Sequence, residues 1–113
     1  MSRITSHILD VSRGRPAEGV PIVLEKQVAD NWQEVSKAST NSDGRAPDLL
    51  KDGLKLEVGI YKLTFNTKKY FESTGQKGFY PEVPVVFEIK DATQHYHVPL
   101  LLSPFGYSTY RGS

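Results

Sequence analysis

A chain of 113 residues carrying 14 Lys and Arg against 13 Asp and Glu has a formal net charge of +1. That balance argues against the concentrated basic face of a nucleic-acid module and against an acidic solvating tail. With no cysteine there is no disulfide framework and no thiolate metal centre, and the length fits one domain, residues 1–113, with a modest core.

The first element is a strand. Thr5, His7, Leu9 and Val11 share one face and Ile4 and Ile8 the other, so apolar residues stand on both sides. "SRGRPAEG" follows as a Gly/Pro loop in which Arg13 and Arg15 read as solvated. "ADN" and "NSDG" are further turns, and Arg45 just after the second reads, alone, as a turn arginine in water. In "YKLTFNT" the side chains of Tyr61, Leu63 and Phe65 alternate with Lys62, Thr64 and Asn66, which is a half-buried strand. "NTKKYFESTG" breaks the period-two pattern. It predicts one short helix capped by Thr67, carrying Tyr70 and Phe71 and stopped by Gly75. In "EVPVVFEIK" the outward Pro84 cannot donate to a ladder, which predicts an edge strand or a bulge.

The stretch Gln94–Ser103 sends Tyr96, Val98, Leu100 and Leu102 one way and His95, His97, Pro99 and Leu101 the other. A sandwich strand with one face in water should be polar there. The apolar second faces of this strand and the first one predict cover by another subunit. The elements together give an all-β sandwich with one short helix.

The chemistry in these residues is sparse. A single strand histidine usually packs or solvates, and "HYH" lacks a carboxylate or cysteine at a ligand spacing, so no metal site is expected. There is no nucleophile elbow, phosphate loop or dinucleotide glycine pattern. Periodicity and composition name no reaction.

"LDVSRGRPAEGVPIVLEK", "GIYKLTFNTKKYF", "HYHVPLLLSP" and "YSTYRGS" together resemble the transthyretin-related family, from residue 4 to the last residue. The resemblance implies a sandwich of two four-stranded sheets and a homotetramer with sites in a channel at the dimer–dimer interface. The family has a branch that carries thyroid hormone and a branch that hydrolyses 5-hydroxyisourate. His7, Arg45 and His97 stand where the carrier has lysine, glutamate and threonine. Tyr110, Arg111, Gly112 and Ser113 match the ending of the enzyme branch.

The resemblance therefore implies a hydrolase with His7, Arg45 and His97 as catalytic residues. Substrate would be held by these three with Tyr110, Arg111 and Ser113, and no metal or cofactor would be needed. Histidines would place and deprotonate the water, and arginines would stabilise the developing oxyanion. Clustered positive charge should lower the pKa of a nearby histidine. His95 is expected at the pocket rim. The alternative is a non-catalytic carrier of a small planar ligand. "MSRITSHILDVSRG" lacks the apolar core of a signal peptide and "VPLLL" is too short to cross a bilayer, so a cytoplasmic bacterial protein is expected. A eukaryotic relative would be peroxisomal, although "RGS" is not the usual peroxisomal tripeptide.

Overall fold

The computed structural model describes residues 3–51 and 53–113. Among these residues nine strands and one helix run in the order β1 (Ile4–Asp10), β2 (Arg15–Pro16), β3 (Pro21–Val28), β4 (Asn31–Ser39), β5 (Arg45–Ala46), β6 (Gly59–Phe65), α1 (Thr67–Ser73), β7 (Val83–Ile89), β8 (Tyr96–Ser103) and β9 (Gly106–Thr109). One sheet has the order β4-β3-β6-β7 and is antiparallel throughout. The other has the order β2-β1-β8-β9, with β5 also paired to β1, so it holds five strands where the resemblance implied four. The fifth is only two residues long. Within this second sheet β1 and β8 run parallel, from Ile4 opposite Tyr96 to Asp10 opposite Leu102.

Alternation explains the layering. β1 buries Ile4, Ser6, Ile8 and Asp10 and leaves Thr5, His7 and Leu9 half-buried on the outer face. β8 buries Tyr96, Val98, Leu100 and Leu102 against Ile22 and Leu24 of β3 and Leu63 and Phe65 of β6. Removing each such large apolar side chain from water contributes about 1.5–3 kcal/mol. β7 is an edge strand with Pro84 exposed, as its missing donor requires.

The helix forms where predicted but starts differently. Asn66, not Thr67, is the N-cap, and its Oδ1 accepts from Lys69 N at 3.1 Å. Thr67 is buried instead, and its hydroxyl donates to the carbonyl of Tyr80 at 2.6 Å. Both Tyr70 and Phe71 face the core, and Gly75 follows at φ +71. The Tyr70 hydroxyl donates to the fully buried Asp10 at 2.7 Å, which ties α1 to β1.

Candidate active site

Strand register decides which side chains meet on the outer face of the β1/β8 sheet. Pairing in parallel sets Thr5 opposite His97 and His7 opposite Pro99. The antiparallel pairing of β5 sets Arg45 opposite His7. Three separate parts of the chain are thereby brought onto one surface, and each contributes a polar group.

Arg45 is held there by turn chemistry. Asn41 Oδ1 accepts from Asp43 N at 2.9 Å and from Arg45 N at 3.0 Å, and Gly44 N donates to Asn41 O at 2.9 Å. Gly44 takes φ +72, and its carbonyl accepts from Ile8 N at 2.8 Å. A Cβ at Gly44 would lie 2.5 Å from the Ile8 carbonyl oxygen, so only glycine lets the turn lie this close to β1. Arg45 is exposed, as a turn arginine in water would be, but its backbone is fixed opposite His7.

His97 sits at the centre of the cluster. Thr5 Oγ1 lies 2.7 Å from His97 Nδ1 and 3.2 Å from His95 Nε2. The two imidazoles are near-parallel at 15°, with centroids 6.3 Å apart. Gly112 bridges back onto His97, its N–H donating to the His97 carbonyl at 2.8 Å. A Cβ at Gly112 would stand 2.5 Å from His97 Cδ2, so this glycine backbone lies directly against the ring. Burial holds the His97 pKa below the usual 6.5, and the charges of His95, Arg45 and His7 lower it further, against a hydrogen bond to the Thr5 backbone that raises it. Clustered charge was the expected cause, but burial is the larger one. An imidazole that stays neutral at pH 7 can accept a proton.

A cavity of about 240 Å3 opens over this cluster, lined by Thr5, Ser6, Arg45, Pro47, His95, His97 and Ser113. His7 stands half-buried on the same face without lining it. Tyr110 and Arg111 line a different cleft, of about 160 Å3, between the edges of the two sheets beside Phe87 and Tyr96. His97 borders both spaces. The Arg111 guanidinium lies over the Tyr96 ring at 4.5 Å and donates to Gln94 Oε1 at 2.9 Å. Tyr110 is 56% exposed. A larger cavity, of about 400 Å3 between α1 and the loop after it, is lined by no histidine or arginine and offers this chemistry nothing. Among the described residues no group of three or more His, Cys, Asp or Glu could hold a metal. No helix among them is long and apolar enough to cross a membrane.

Sequence reasoning missed two contributors. Thr5 was legible as a face-mate of His7, but its meeting with His97 depends on a parallel register that no local pattern encodes. Gly112 was legible only as part of a terminal motif, and its contact with the ring needs the bridge to β8.

Comparisons with known proteins agree on the kind of molecule. A mouse 5-hydroxyisourate hydrolase is 47% identical over 114 residues, covering 99% of this chain and 96% of that one. The structure of a Klebsiella pneumoniae 5-hydroxyisourate hydrolase superposes at TM-score 0.86 with 35% identity and full coverage of both chains. A sea bream transthyretin solved with thyroxine superposes at 0.89 with 30% identity, covering 97% of this chain and 94% of that one. The sandwich alone therefore does not separate hydrolase from carrier, and the residues on its outer face must. Residues 4–112 match the HIUase/Transthyretin family model, and the chain belongs to the HIUase/transthyretin family.

Proposed function

We propose that the protein hydrolyses 5-hydroxyisourate to 2-oxo-4-hydroxy-4-carboxy-5-ureidoimidazoline. The observation that carries this reading is His97, an imidazole with lowered pKa bordering a cavity that Arg45 also lines. The sequence likeness to hydrolases supports it, since the mouse enzyme is 47% identical where the transthyretin is 30%.

In the mechanism, a water gives a proton to a histidine as its oxygen attacks an amide-like ring carbonyl. The C–N bond of the six-membered ring then breaks, the nitrogen takes up a proton, and a carboxylate is left. Neutral His97 is the base, with His7 on the same face positioning the water. Arg45 stabilises the negative charge that develops on the carbonyl oxygen. Ser113 completes the wall of this cavity, Tyr110 and Arg111 would reach substrate from the neighbouring cleft across His97, and the exposure of the Tyr110 ring in the isolated chain fits a site finished by assembly. The half-buried Leu9 and Leu101 beside the cluster support a homotetramer whose dimer–dimer interface covers this face.

The test generates 5-hydroxyisourate in situ with urate oxidase and follows its decay spectrophotometrically. Wild-type protein should accelerate decay and His97→Asn should lose most of that acceleration. A folded wild-type protein that leaves the spontaneous rate unchanged would overturn the proposal and bring forward a carrier of planar ligands.

A further inference from the structure

Thr5 lies between two imidazoles, and among the described residues its hydroxyl makes no other hydrogen bond. Its hydroxyl carries one proton and faces two ring nitrogens, Nδ1 of His97 at 2.7 Å and Nε2 of His95 at 3.2 Å. One hydroxyl can donate to only one of them, so it must act differently towards the two rings or accept from both. We infer that Thr5 is a positioning residue that fixes the tautomer of His97: Oγ1 accepts the Nδ1 proton of His97 and donates to Nε2 of His95, leaving His97 Nε2 unprotonated towards the cavity.

Two observations favour this direction over its reverse. No side chain among the described residues bonds His97 Nε2, and no buried side-chain nitrogen among them lacks a partner, so Nε2 is open rather than enclosed. Arg45 lines the same cavity as His97, and a nearby cation favours a lone pair over an N–H aimed into the shared space. The charged and titratable groups around the ring are His95 beside it, His7 on β1 and Arg45 on β5, with Arg111, Tyr96, Tyr110 and Glu88 on the neighbouring cleft. No acidic side chain among the described residues lines the cavity shared with Arg45 to reverse that preference. The backbone of Gly112 against Cδ2 closes the remaining side and prevents the ring from turning away. His95 thus acts through Thr5, as the acceptor that orients the hydroxyl.

The assignment rests on the hydrolase reading for its catalytic meaning, but its geometry can be tested without substrate. Imidazole nitrogen shifts of 15N-labelled wild-type protein should show His97 as the Nδ1–H tautomer. In Thr5→Val, which keeps the branched shape, the shifts should move towards a mixture of tautomers, and Thr5→Ser should restore the wild-type signature. In the hydrolysis assay Thr5→Val should lower kcat about 10-fold with KM changed little, the loss of one hydrogen bond, and Thr5→Ser should recover it. Wild-type His97 found as Nε2–H would overturn the inference outright, whether or not any variant folds. Unmoved shifts in a folded Thr5→Val protein would do the same. If the enzyme reading fails, the nitrogen shifts still decide the tautomer, so the two failures remain separate.

Discussion

Replacing Gly112 by alanine tests how tightly the site is held. The added methyl would start 2.5 Å from His97 Cδ2 and 3.2 Å from Pro99 Cγ. Carbon atoms rest at about 3.5–4.0 Å, so the ring or the strand must give way by roughly 1 Å. Pro99 is buried and β8 is clamped between β1 and β9, which leaves the imidazole or the terminal segment to move. Either movement disturbs the 2.7 Å contact with Thr5 or the 2.8 Å bond from Gly112 to the His97 carbonyl. Misplacing a reacting group by about 1 Å costs on the order of 100-fold in rate. Overpacking a well-filled site costs about 1–3 kcal/mol. The expectation is a folded protein with kcat for 5-hydroxyisourate lowered about 100-fold. Gly106→Ala is the control, because a Cβ there would meet only Ser103 Oγ, at an ordinary 3.8 Å. Wild-type turnover in Gly112→Ala would refute the argument that this backbone holds the ring, and equal losses in both variants would show a general packing effect.

Further expectations concern pH, stability and assembly. Because burial and neighbouring charge lower the His97 pKa, its neutral form persists below pH 6.5, and the acid limb of kcat/KM should fall there. A limb centred at or above 6.5 would remove His97 as the base. For Asp10, burial pushes the pKa up, but hydrogen bonds from Tyr70, Ser12, Gln76 and the Arg13 backbone outweigh it and bring it below 3.8. Its stabilising contribution is therefore present above pH 3.8 and is lost as pH falls through the folded-state value. The same carboxylate, together with burial, pushes Tyr70 up to about 12, burial being the larger cause. Tyr70→Phe should cost about 1–3 kcal/mol at pH 7, read as a Tm lower by roughly 4–12 °C. That gap should shrink in acid as Asp10 protonates, and a widening gap would contradict the assignment. Leu101→Asp, placing charge on the outer face beside the cluster, should break the tetramer into smaller species by sedimentation and abolish hydrolysis. Activity in a proven dimer or monomer would show that the dimer–dimer interface is not required.

Much of this architecture was readable from alternation alone. The inward and outward faces of β1 and β8, the edge position of β7 and the existence of α1 follow from residues at spacing two, an outward proline and one broken period. The cap shifted by one residue because asparagine at 66 competes with threonine at 67 for the same backbone donors, and Thr67 is drawn off by the Tyr80 carbonyl. The two-residue β5 was hidden because its ladder is made by the turn before it rather than by any apolar pattern of its own. Within the candidate site, His7, Arg45 and His97 do share a face. Tyr110 and Arg111 instead sit on the neighbouring cleft, since an exposed terminal segment has no periodicity to say which side it will take.

The parallel pairing of β1 with β8 also sets an order of events. Thr5 and His97 are 92 positions apart, and every pair in that ladder closes a loop of the same span. The opposite sheet is joined by nearer contacts, beginning with the hairpin in which Val28 faces Asn31. Closing long loops costs entropy before any contact offsets it, so the near pairs should form first and the parallel ladder last. A refolding chain would then regain most of its strand signal while its histidines were still apart. Catalytic power should return only in the slowest phase, and a chain emerging from the ribosome should stay inert until β8 is free to reach back to the strand made first.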